Sequence, residues 1–99
     1  MSMTARFELF SEDTAKTIDF YTKILGFTKI KSNLERDHHE LKRDSVQINI
    51  GSIYKLRGEH YFRPQIENDR KGLGVEIVLE VDDIHFLYKQ VQESGYKIY

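Results

Sequence analysis

The chain has 99 residues, a formal net charge of −1, and 39% hydrophobic against 31% charged side chains. That balance suits one small globular domain and gives no electrostatic footprint for a nucleic acid or a membrane surface. With no cysteine, disulfides, thiolate metal sites and cysteine nucleophiles are excluded.

The start, MSMTARFELF, lacks the basic and apolar regions of a signal peptide, and no apolar run nears the roughly 20 residues that span a bilayer. A cytoplasmic location is therefore the expectation. ARFELF alternates, with Phe7 and Leu9 on one face and Arg6 and Glu8 on the other, the period-2 pattern of a half-buried strand. SEDTAKTIDFYTKILG then reads as a helix. Ser11 or Asp13 is placed to cap it, Ile18, Tyr21, Ile24 and Leu25 form its apolar stripe, and Gly26 ends it.

FTKIKSNL is a second strand, and HHELK with SVQINI is a hairpin joined near Arg43-Asp44. Pairing Leu41 with Val46 puts His39, Leu41, Val46, Ile48 and Ile50 on the face turned to the helix. His38, Glu40, Gln47 and Asn49 take the other face. Residues 54–73 are polar, hold the only proline and read as a linker whose aromatics, Tyr54, Tyr61 and Phe62, are expected to cover the core, with a lid over the polar face as the alternative. GVEIVLEV predicts a further strand with Glu76, Val78 and Glu80 on one face. Asp82 or Asp83 caps a helix through Ile84, Leu87, Tyr88 and Val91, Gly95 ends it, and Tyr96-Lys97-Ile98-Tyr99 begins a last strand.

The two ends share a plan. Residues 5–30 and 75–99 each run strand, acidic cap, helix, glycine, aromatic, strand, and a shift of 70 positions sets Arg6 on Glu76, Leu9 on Leu79 and Asp13 on Asp83. Such repeats mark duplicated supersecondary units. The residues Ile18-Asp19-Phe20-Tyr21 with Leu25-Gly26-Phe27, and Val81-Asp82-Asp83 with Gly95-Tyr96, resemble the glyoxalase/bleomycin-resistance/dioxygenase (vicinal oxygen chelate) superfamily. The resemblance implies an α+β fold of paired βαβββ modules around a shared cleft. Residues 5–53 form the first module, 54–73 the linker, and 74–99 the start of a second module that is incomplete at its C-terminus. A second copy that completes the cleft is then expected, as a homodimer with or without exchanged strands or modules.

In metal-bearing members of the family, ligands lie on the first and last strands of each module. By resemblance these positions fall on Arg6, on Gln47 or Asn49, and on Glu76, with the fourth on a strand this sequence does not contain. Arg6 stays protonated and repels a dication, so Glu76 is the best single metal candidate. The ligand-binding cleft is expected to hold Arg6, Glu8, Gln47, Asn49, Glu76 and Glu80, with Glu40 and Lys42 beside them and carboxylates in excess. Arg6 and Glu76 also suit an ion pair across the module junction. His38 and His39 point to opposite faces and cannot chelate together, and His60 and His85 have no partner at helical spacing. No Ser-His-Asp or Gly-x-Ser-x-Gly constellation is legible.

These features point to a protein that sequesters a small, cationic or strongly hydrogen-bonding organic ligand without a metal, as in the antibiotic-binding branch of the family. The alternatives are a lyase or dioxygenase using a divalent metal, and a ligand-sensing or interaction domain.

Overall fold

A computed structural model describes residues 2–56 and 74–99. The chain divides into two compact units, Met1–Lys55 and Leu56–Tyr99.

The first unit is a βαβββ module. Strand β1 (Phe7–Ser11) leads to helix α1 (Thr14–Asp19), which continues as a π-helical turn over Phe20–Ile24. Strands β2 (Thr28–Asn33), β3 (His38–Arg43) and β4 (Val46–Ser52) follow, and a 3-10 turn (Ile53–Lys55) closes the unit. The sheet order is β1-β4-β3-β2, with β1 parallel to β4 and the other pairs antiparallel. Between the parallel strands the chain crosses through α1, which packs on β1 and β4.

Local chemistry explains the boundaries. Asp13 is the N-cap, its carboxylate accepting from the Lys16 amide at 3.0 Å. Further along, the Thr22 hydroxyl donates to the Ile18 carbonyl at 2.8 Å. It occupies an acceptor where the backbone widens to an i→i−5 bond from Leu25 to Phe20. Gly26 then takes φ +75°, a left-handed turn. The chain returns as Phe27, whose amide bonds the Tyr21 carbonyl at 2.9 Å. The Tyr21 ring meets Phe20 and Phe27 edge-on, with centroids 5.6 and 5.5 Å apart.

The hairpin register differs from the expected one. Leu41 faces Ile48, and Arg43 faces Val46 across the Asp44-Ser45 turn. A two-residue displacement keeps every side chain on its face, so His39, Leu41, Ile48 and Ile50 still line the helix side. Leu41, Ile48 and Ile50 are fully buried there, joined by Phe27 and Ile53. Tyr54 does not cover this core; it is 66% exposed. Tyr61, Phe62 and His60 lie outside the described residues.

Asp37, before β3, binds three elements together. It sits at φ +50°, and its carbonyl accepts from the Ser52 amide at 3.1 Å. Its carboxylate receives the Thr14 hydroxyl at 2.9 and 2.8 Å and the ring of buried His39 at 2.7 Å. The other ring nitrogen of His39 lies 2.8 Å from the Ser32 hydroxyl on β2.

In the second unit, helix α2 (Ile84–Ser94) repeats the capping of α1. Asp83 accepts from the Phe86 amide at 3.0 Å, and Gly95 at φ +85° ends the helix. Two expectations need correction. Residues 75–81 and 96–99 form no strand among the described residues, although Ile77, Leu79 and Val81 are half-buried and Glu76, Val78 and Glu80 exposed. Alternation selects a face, but a strand also needs a hydrogen-bonded partner. On α2 the half-buried stripe is Leu87, Gln90 and Val91, while Ile84 and Tyr88 are exposed.

Candidate functional site

The sheet face away from α1 carries a continuous hydrogen-bonded row. Parallel pairing sets Glu8 beside Asn49, and the hairpin sets Asn49 beside Glu40 and Gln47 beside Lys42. Asn49, almost fully buried, donates to Glu8 Oε1 at 3.1 Å. Gln47 donates from one amide nitrogen to Asn49 Oδ1 at 3.1 Å and to Glu40 Oε1 at 3.3 Å. A relay thus runs Glu40, Gln47, Asn49, Glu8.

Two further groups close on Glu8. Arg6 Nε donates to Oε1 at 3.2 Å, and His38 Nε2 lies 3.1 Å from Oε2. Burial pushes the Glu8 carboxyl up, but the hydrogen bonds from His38, Asn49 and Arg6 outweigh it and hold the group below the ordinary glutamate range. Gly51, opposite His38 on β4, makes room for this arrangement. A Cβ there would lie 3.3 Å from the His38 ring and 3.5 Å from that of Phe10.

Of the six residues expected to line the cleft, Arg6, Glu8, Gln47 and Asn49 meet in this row. Glu76 and Glu80 are exposed residues of the second unit. Arg6, expected to pair with Glu76, donates to Glu8 in its own unit. His38, placed by the sequence on the polar face and left out of the expected cleft, is a partner of Glu8. The signal for it was its face, shared with Glu40 and Asn49. On the first unit's sheet Arg6, Lys31 and Lys42 accompany Glu8 and Glu40. A β-bulge between Lys29 and Lys31 brings Lys31 opposite Glu40, and no periodicity argument from the sequence would place it there.

The donor set does not suit a family-type cation. Both Glu8 oxygens already accept hydrogen bonds, one of them from a guanidinium, and the Asn49 oxygen accepts from Gln47. A dication would have to break these bonds beside a fixed positive charge. Among the described residues no group of three or more His, Cys, Asp or Glu could hold a metal.

The profile of the "Glyoxalase/Bleomycin resistance protein/Dioxygenase superfamily" matches residues 4–99. The chain belongs to this superfamily. Its fold is α+β, with the βαβββ order of the family in the first unit. Solved structures agree on the fold. An integron cassette protein from the mobile metagenome of the Halifax Harbour sewage outfall superposes with a TM-score of 0.62 at 18% identity, over 94% of this chain and 72% of that one. An integron cassette protein of V. cholerae gives a TM-score of 0.58 at 21% identity, over 96% and 70%. A virulence protein of Salmonella typhimurium gives 0.56 at 19% identity, over 98% and 73%. No curated protein matches the chain. Among the described residues no helix is long and apolar enough to cross a membrane.

Proposed function

We propose that this member of the superfamily is a binding protein that holds a small organic ligand on the Glu8–Asn49–Gln47–Glu40 face without a metal. The observation that carries this reading is where the relay ends. Gln47 Oε1 and Glu40 Oε2 accept nothing among the described residues, while both oxygens of Glu8 are satisfied internally. Adjacent free acceptors at the end of a rigid network suit a ligand with amine or amide donors. Phe10 and the His38 ring over Gly51 offer flat apolar contact alongside.

The test is calorimetry with metal-free bleomycin, the compound class in the superfamily's name, in buffer with and without a chelator. Binding that is indifferent to chelator and weakened about tenfold by Glu40→Gln supports the reading. Binding that appears only with added nickel, zinc or iron, and vanishes in Glu76→Ala, would overturn it in favour of a metal-dependent lyase or dioxygenase.

A further inference from the structure

On the opposite face of the same sheet, three side chains the proposed ligand site does not use form a second constellation. Ser32 lies directly across the β2–β3 pair from His39. Its hydroxyl is 2.8 Å from His39 Nδ1, while His39 Nε2 is 2.7 Å from Asp37 Oδ1. The sequence did not announce this Ser-His-Asp chain, because the serine sits on another strand and the aspartate on a turn.

The protonation of the chain follows from its ends. Bonding to His39 and Thr14 holds the Asp37 carboxyl below the ordinary aspartate range despite some burial, so Asp37 is an acceptor. In the neutral tautomer that carries its proton on Nε2, facing the Asp37 carboxylate, Nδ1 keeps its lone pair and takes the Ser32 hydroxyl hydrogen. That is the ordered relation of nucleophile, base and orienting carboxylate that activates a serine, here through the opposite ring nitrogen from the familiar serine-protease arrangement. His39 is buried and fixed by both neighbours, whereas Ser32 is exposed on an edge strand. Exposed Ile30 and Leu34 stand two residues to either side of it.

We propose that Ser32 is a nucleophile towards activated esters of short aliphatic acids, with His39 as its base and Asp37 as the group that orients the base. Ser32 Oγ attacks the acyl carbon as its proton passes to Nδ1 of His39. The bond to the leaving oxygen breaks, and that oxygen takes the proton. Water then attacks the acyl-serine with His39 again as base, freeing the carboxylic acid and restoring Ser32. Ser32 lies on a strand exposed along its length, so the class is esters with good leaving groups and not amides. Ile30 and Leu34 favour an apolar acyl chain.

The probe is p-nitrophenyl butyrate, read by p-nitrophenol release and by peptide mass mapping of the acylated protein. The expected result is one butyryl group on Ser32 and turnover that falls at least about tenfold in Ser32→Ala, since general-base assistance contributes about 10²–10⁴. Asp37→Asn, which keeps a residue tolerant of positive φ, should slow acylation with Ser32 still present. The exposed turn variant Ser45→Ala should label as the wild type does. Butyryl found only on lysines, an unlabelled protein, or a Ser32→Ala variant that hydrolyses at the wild-type rate would each overturn the proposal.

Discussion

At the scale of single residues, two carboxylates are held ionised by what surrounds them. Asp37 joins the start of α1, the β2–β3 turn and β4 through Thr14, His39 and Ser52. Its pKa is lower folded than unfolded, so its stabilisation is complete above the unfolded value of about 3.9. That contribution is lost as pH falls through the folded value. Asp37→Asn should therefore cost about 1 kcal/mol at pH 7. It should also make urea unfolding less sensitive to acid below about pH 5. A variant whose acid limb matches the wild type would place the pH dependence elsewhere, with Glu8 the next group to examine, since its shift has the same sign.

At the scale of elements, β4 carries the module. It is flanked by β1 and β3, it is buried from Ile48 to Ser52, and it presents Ile48 and Ile50 to α1 and Asn49 and Gly51 to the ligand face. One strand thus serves core and site by strict alternation. Ile48→Ala should cost about 2–5 kcal/mol in chemical denaturation, because a fully buried side chain leaves a cavity the sheet cannot close. Gly51→Val should be costly in a different way. The added methyls would displace the His38 ring from Glu8, so the Glu8 carboxyl should titrate higher by NMR while the core stays intact. Helix α2, by contrast, has sound caps but no buried side chain, and caps contribute only about 1 kcal/mol each.

At the scale of the whole molecule, the two edges of the sheet matter. Strands β1 and β2 are its outer members, and β2 is exposed along its full length. Exposed edges invite pairing with another chain unless charges blunt them. Lys29 and Lys31 do so on β2, and the bulge at Ile30 twists that edge further. On β1 the half-open Phe7 is the apolar feature. We therefore expect self-association through the β1 side, with Phe7 at the contact. Sedimentation velocity should show a dimer that Phe7→Lys weakens; a concentration-independent monomer would sink that expectation.

Sequence alone determined the βαβββ order, the glycine stops, the family and the division of β3 and β4 into core and polar faces, and it narrowed each helix cap to two candidates. These follow from nearest-neighbour chemistry and from periods of 2 and 3.6 residues, which need no knowledge of what lies across the sheet. Tertiary structure decided the rest. It set Leu41 against Ile48, moved Lys31 opposite Glu40 through a bulge, turned Arg6 and His38 onto Glu8, and joined Ser32 to His39 and Asp37. Each of these depends on which strand lies beside which and in what register, a choice fixed by packing of the whole sheet and invisible to local pattern. The alternating segment at 75–81 makes the same point from the other side: its face was legible, but a strand also needs a partner.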